Sequence, residues 1–207
     1  MKNKPLIYQF KVTLTSVSPP VWRTIQVPAD YSFWDLHVAI QDAMGWLDYH
    51  LHLFVFELPR KKRLNIGIPD DEYDEPPTSA GWEISIGDFY RTPGDLAVYE
   101  YDFGDGWTHE LILEGIFLRD DAVRYPKCIA GERACPPEDC GGVTGYEQLL
   151  VILDDPSNEE YEDMKHWLTG HAKNYWPYKP DDFKPRKVKF DDPHVRWRNA
   201  FSNDDVH

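Results

Sequence analysis

LAVYEYDFGDGWTHELILEGIFL, residues 96–118, is the stretch from which the fold can be read outward. Tyr99, Tyr101 and Phe103 share one parity before Gly104-Asp105-Gly106, and Trp107, His109, Leu111 and Leu113 share one after it. Alternation at period two on both sides of an Asp-Gly turn is the pattern of an antiparallel hairpin. Upstream, Leu6, Tyr8, Phe10, Val12 and Leu14 alternate in the same way, SVSPP interrupts, and Val21, Arg23, Ile25 and Val27 alternate again as far as Pro28. That predicts a second hairpin or meander.

Between these stretches the period changes. Ser32 with Asp35 three residues on resembles a capping box, and Phe33, Leu36, His37, Ile40 and Met44 follow at helical spacing until Gly45; the pattern predicts a helix of three to four turns. Tyr49 to Leu58 is apolar or aromatic on both parities, as a strand covered on both faces would be. The order β-β-α-β suggests a grasp-like start. Residues 60–81 are charged and include PDDEYDEPP, so they are expected to form an exposed loop dividing the sheet, after which Trp82, Ile84 and Ile86 alternate as a further strand. In the last third, Thr144 with Glu147 and Ser157 with Glu160 resemble capping boxes that open two helices. Residues 171–207, rich in Pro and aromatics, are expected to wrap irregularly over the body. The expected fold class is α+β: an antiparallel or mixed sheet with an aromatic hairpin and C-terminal helices, in one domain spanning 1–207.

Composition narrows function by exclusion. The 207 residues are 42% hydrophobic, with 8 Trp, 12 Tyr and 10 Phe, and carry a formal charge of −14. That is ample material for a folded core without cross-links. A net charge of this sign repels a phosphate backbone, so duplex DNA is not expected as a partner. No apolar run approaches the roughly 18 residues of a membrane span, and the N-terminal lead is no signal peptide. The expectation is a cytoplasmic protein with no membrane partner. Walker loops, nucleophile elbows, HExxH and dinucleotide fingerprints are all absent.

Three polar blocks carry candidate chemistry. All the cysteines, Cys128, Cys135 and Cys140, lie in CIAGERACPPEDC at C-x6-C-x4-C spacing. A zinc knuckle with a fourth ligand from His109, His166 or His171 is one reading, but the tight C-x2-C pair that knuckles use is missing. A rigid loop with buried thiols, presenting Glu138 and Asp139, is the favoured one, and no cofactor is assigned beyond that possible zinc. His50 and His52, two apart on a predicted strand, would point to one face, either as ligands or as packed core residues, with His37 above them. Asp102 and His109 flank the hairpin turn and need partners if buried; as a pair they could orient a ligand, bind a cation or simply satisfy each other.

Three stretches together, PPVWRTIQVP…LHVAIQDAMGWLDYHLHLF, YEYDFGDGWTHELILE and CIAGERACPPEDCGGVTGYEQLL, resemble the plasmid pRiA4b Orf-3-like family, whose members are often labelled transposon-associated or resolvase-like. The resemblance runs roughly from Tyr8 to Trp167 and implies a mixed α+β domain of a mobile-element-associated group, with no particular activity attached. The resolvase label does not transfer, because a serine recombinase needs a nucleophilic serine with an arginine cluster and a basic helix-turn-helix. The leading reading is therefore a non-enzymatic binding domain for a protein, peptide or small molecule, using His50, His52, Asp102, Trp107, His109, Glu138 and Asp139 around a polar-aromatic cleft between the hairpin and the Pro-Pro-Glu-Asp loop. One alternative is a metal-dependent phosphoester hydrolase built on the same polar residues. The other is a nucleic-acid accessory protein using the basic tail with Trp197 and Phe201.

Overall fold

The computed structural model describes residues 5–69 and 76–201. Its framework is one mixed eight-stranded sheet in the order β5-β4-β3-β6-β7-β1-β2-β8. The strands are β1 (Leu6–Leu14), β2 (Val21–Pro28), β3 (His52–Leu58), β4 (Lys62–Gly67), β5 (Thr78–Ala80), β6 (Leu96–Tyr101), β7 (Trp107–Leu118) and β8 (Lys127–Glu132). All neighbours pair antiparallel except β4 with β5. Both hairpins read from the alternation are present: β1 pairs β2 from Leu14↔Val21 outward, and β6 pairs β7 from Tyr101↔Trp107 outward.

The inward parity is the apolar one. Tyr8, Phe10, Val12 and Leu14 of β1 and Leu111 and Leu113 of β7 are all buried. Where β1 meets β7 the register slips between Gln9 and Phe10, which pair with Gly115 and Leu113 and leave Glu114 as the extra residue of a bulge.

Helix α1 (Phe33–Met44) is capped as its sequence predicts: the Asp35 amide donates to Ser32 Oγ, the Ser32 amide donates to the Asp35 carboxylate, and Gly45 ends the helix at φ 90°. Ten of its twelve residues are buried, because the sheet covers one side and helix α4 (Pro193–Phe201) packs on another. Burial on that scale takes in two polar side chains one turn apart, His37 and Gln41, and both find the same partner. Gln41 Nε2 donates to the Tyr99 hydroxyl at 2.8 Å, and that hydroxyl sits 2.9 Å from His37 Nδ1. The β-β-α-β order holds along the chain, but β6 and β7 separate β3 from β1 in the sheet.

Several expectations need correction. Residues 60–81 are not a continuous loop: β4 and β5 lie within them, and Asn65, Ile66 and Gly67 are buried because β4 pairs β3 along six residues; the acidic run from Asp70 to Glu75 lies outside the described residues. Trp82 to Ile86 is not a strand but a turn followed by a 3-10 turn at Ile86–Asp88, with only Ser85 bridging to Ser32. Helix α2 (Gly142–Asp154) starts before the Thr144 box, with Gly141 at its N-cap. Helix α3 (Tyr161–Gly170) starts after the Ser157 box, since Ser157 instead bonds Asp155 in a local turn. The tail from residue 171 is irregular at first, crossing the body where the Ala134 amide donates to Pro180 O at 2.8 Å, but it ends in α4. Its described part docks Phe201 against Trp34 and Trp82, and Trp197 against Phe201. These two aromatics are engaged in packing rather than held free for bases.

Candidate functional site

The loop between β8 and α2 is anchored by the residue expected to be presented. Glu138 is 1% exposed. Its carboxylate accepts from the Leu47 amide at 2.8 Å and from the Tyr101 hydroxyl, and its own amide donates to the Tyr175 hydroxyl at 3.2 Å. Burial raises the Glu138 carboxyl pKa, although the Tyr101 and Leu47 bonds pull against it. Trp46, stacked on Tyr101 at 5.0 Å, donates from its indole nitrogen to Pro136 O at 3.0 Å. With Pro136 and Glu138 held, the next side chain, Asp139, projects outward.

The glycines complete the aim. A Cβ on Gly145 would stand 1.9 Å from Cys140 O, and one on Gly142 would stand 2.4 Å from Asp105 O. Only glycine allows the helix start to lie against the loop and the hairpin tip this closely. The Gly141 amide donates to the Asp105 carboxylate at 3.2 Å, so the tip of the β6–β7 turn and the start of α2 are joined.

Asp139 meets His50 and Asp102. His50 Nε2 lies 2.9 Å from Asp139 Oδ1 and 3.6 Å from Asp102 Oδ2, and one ligand atom from each of the three falls within 4.8 Å of the other two. Asp102 divides its carboxylate: Oδ1 accepts from the Gly104 and Asp105 amides at 3.0 and 3.2 Å, which leaves Oδ2 for the site. His171 Nε2 stands 3.9 Å from Asp139 Oδ2. Around an octahedral cation with bonds of about 2.1 Å, adjacent donors sit about 3 Å apart and opposite donors about 4.2 Å. The separations of His50 from Asp139 and from Asp102, 2.9 and 3.6 Å, fall within that range, and the two carboxylates match a divalent charge.

The other candidates lie elsewhere. His50 and His52 do not share a face, because the strand begins only at His52 and His50 sits on the preceding bend. His52 is buried and stacks on His37 at 3.5 Å with the rings 10° apart. Its burial, with His37 alongside, holds its pKa well below the usual imidazole value. His109 does not pair with Asp102; it is fully buried, its Nδ1 lies 3.2 Å from Tyr99 O, and burial lowers its pKa to about 3. Trp107 is core, 6.0 Å from Trp46. The three thiols are free and take no part in a metal-holding group among the described residues. Burial pushes Cys128 up to about 11 and Cys135 to about 12, and raises Cys140, where Asp105 adds to the effect. All three are therefore thiols at neutral pH.

Hairpin and loop are sewn together through the Gly141 amide and the Asp105 carboxylate. The open space lies on the other side of His50, a groove of about 640 Å³ bordered by Leu47, Asp48, Tyr49, Leu51, Arg196 and Phe201. Tyr49 is 64% exposed there. Sequence reasoning missed Asp48 and Arg196. Asp48 sits 2.7 Å from His37 Nε2 and accepts from Arg196 at 3.3 Å, and although burial works the other way, these two neighbours hold its carboxyl below the usual range. No local pattern marked either residue.

Fold and site together define an α+β protein with a polar cluster of one imidazole and two carboxylates at the edge of a groove, aimed by a buried glutamate. The chain belongs to the plasmid pRiA4b ORF-3-like protein family, whose pattern it matches over residues 6–187. It is 34% identical over 161 residues to the uncharacterized protein y4hQ of Sinorhizobium fredii (strain NBRC 101917 / NGR234), covering 78% of this chain and 80% of that one. It is also similar to the crystal structure of a protein of unknown function, MM3350 from Methanosarcina mazei Go1, at 39% identity and a TM-score of 0.77, over 91% of this chain and 100% of that one. Among the described residues no helix is long and apolar enough to cross a membrane.

Proposed function

We propose that this protein is a binding domain that takes its ligand through a divalent cation held by His50, Asp102 and Asp139. The observation that carries the reading is the convergence of one imidazole nitrogen and two carboxylate oxygens within 4.8 Å, drawn from three separate segments of the chain. Three protein donors leave coordination positions open, and Asp139 is 53% exposed, so a ligand's own oxygen or nitrogen can complete the shell. The adjoining groove, with Tyr49, Leu51 and Phe201 along it, suits an apolar or aromatic body attached to that donor group. Binding is favoured over catalysis because His52, His109 and Glu138, the groups that would move protons, are sealed in the core.

The test is a calorimetric titration of metal-stripped protein with Mn²⁺ and Co²⁺. Saturable one-site binding is expected, weakened about tenfold or more in Asp139→Asn, which changes an exposed side chain and leaves the Glu138 anchor in place. Absence of saturable binding, or equal affinity in the variant, overturns the proposal. A thiolate-to-cobalt charge-transfer band would move the metal to the cysteines. Metal-dependent hydrolysis of a phosphoester by the wild type, lost in Asp139→Asn, would replace the binding reading with the hydrolase one.

A further inference from the structure

Arg23 occupies a position of β2 that the period-two pattern assigns to the core, and it is 1% exposed. Its guanidinium is satisfied only by neutral groups. Nε donates to Ala43 O at 2.9 Å, and Nη1 donates to Trp22 O and Glu132 O at 2.8 Å each. Among the described residues no carboxylate stands at ion-pair distance from it, and Nη2 has no hydrogen-bond partner. The ring of Phe183 covers the group at 3.5 Å. A guanidinium held this deep without a counter-ion is costly unless an anion compensates it.

That group lines a cavity of about 330 Å³ formed between the Cys135 segment and the tail, with Lys173, Lys179 and Tyr175 also on its wall. Neither lysine forms an ion pair among the described residues, and the one acidic side chain on the wall, Asp182, lies 3.8 Å from Lys184. Past Lys173 the space continues into a groove of about 620 Å³ that adds Lys184, Lys187 and Lys189. Together the two are lined by six cationic side chains against two acidic ones, in a chain whose formal charge is −14. Such a concentration of positive charge in an acidic protein focuses a positive potential along this surface.

We propose that the cavity floored by Arg23 binds the phosphate group of a small molecule. Nη2 supplies a fixed donor with its remaining hydrogens free, and Lys173 and Lys179 supply mobile charge at the rim. A cavity of this size holds a phosphate with a small organic remainder, not a duplex. This site is separate from the His50 cluster: none of His50, Asp102 and Asp139 lines the cavity.

Inorganic phosphate is the probe, titrated against the full chain at constant ionic strength in chloride and followed by calorimetry and by thermal stability. Saturable binding with a rise in Tm is expected for phosphate and, more tightly, for a phosphate monoester such as a nucleoside monophosphate. Acetate at equal charge is expected to bind more weakly. Lys173→Gln with Lys179→Gln alters only exposed side chains and is expected to weaken phosphate binding about tenfold. Arg23→Lys tests the floor, and the lysine pair keeps the proposal testable if that variant does not fold. No saturation by phosphate, or equal affinity in the lysine pair, overturns the proposal. So does an affinity for single-stranded oligonucleotides that grows with length, which would make the basic stretch a strand-tracking surface. Asp139→Asn should bind phosphate as the wild type does, so failure here and failure of the cation site are read separately.

Discussion

Asp48, Asp102 and Asp139 all have positive φ, at 62°, 54° and 57°. Aspartate tolerates the left-handed region better than most residues, since its short side chain can bond the local backbone. At Asp102 that is what happens, because Oδ1 accepts from the Gly104 and Asp105 amides. Asp102→Ala removes both bonds while keeping the strained backbone, and is expected to cost about 1–2 kcal/mol in urea denaturation. Asp102→Asn keeps an acceptor in the same place and is expected to retain most of that stability. Equal denaturation midpoints for wild type and Asp102→Ala would show that the turn does not need the side chain. The sequence marked Asp102 as noteworthy but paired it with His109. Parity along a strand says which face a residue takes, not what lies across that face, and His109 turns into the core against Trp46.

Helix α4 is held by charge. Arg196 donates to Asp42 at 2.7 Å, to Asp191 at 2.6 Å and to Asp48 at 3.3 Å, while Trp34 Nε1 donates to Pro193 O at 3.0 Å. At nine residues the helix is too short to be stable by itself, so these contacts and the Trp34, Trp82 and Phe201 cluster keep it docked. Arg196→Met leaves Asp42 and Asp48, both largely buried, without their shared cation. The expected loss is about 1–3 kcal/mol, below that of a fully buried pair because Arg196 is partly exposed. Hydrogen exchange should localise it, with residues 193–201 losing protection while β1 and β7 keep theirs. Uniform loss of protection across the sheet would show that α4 is integral to the core. α2 illustrates the opposite relation between sequence and element: the Thr144 box was legible, yet the helix begins at Gly142 because two glycines at positive φ let the chain enter it earlier, against the hairpin tip.

For the whole molecule, the buried neutral imidazole of His109 links folding to pH. Its pKa is held near 3 in the folded state by burial, against about 6.5 in an unfolded chain. The unfolded state therefore takes up a proton that the folded state refuses. The stability associated with neutral His109 is fully present above about pH 6.5 and is lost progressively as pH falls from there toward about 3. Carboxylates titrate in part of the same window, so the measurement is a difference: wild type against His109→Gln, by urea denaturation from pH 7 to pH 4. The wild type is expected to lose ground to the variant by up to about 1.4 kcal/mol per pH unit once below pH 6. A pH-independent difference would mean that His109 is protonated, or accessible, in the folded protein.

The sequence by itself determined the local elements whose signals are local: both hairpins, from alternation at period two; α1, from its capping box and its terminal glycine; and the α+β class, from their order. It also marked His50, Asp102 and Asp139 as polar residues in unusual surroundings. Only the tertiary structure decided which of the seven candidates meet. His50 and His52 are two residues apart yet separate, one on a surface bend and one stacked on His37, because the strand starts between them. Asp102 and Asp139 are far apart in the chain yet adjacent, because Glu138 is drawn into the core by Leu47 and Tyr101 and carries the next residue to the hairpin. Arg23 looked like any inward position of an alternating strand, and that no carboxylate among the described residues pairs with it became visible only once its neighbours were placed. Periodicity and capping act over a few residues of one segment, whereas a site is a convergence of segments, fixed by packing and hydrogen-bond satisfaction across the whole chain.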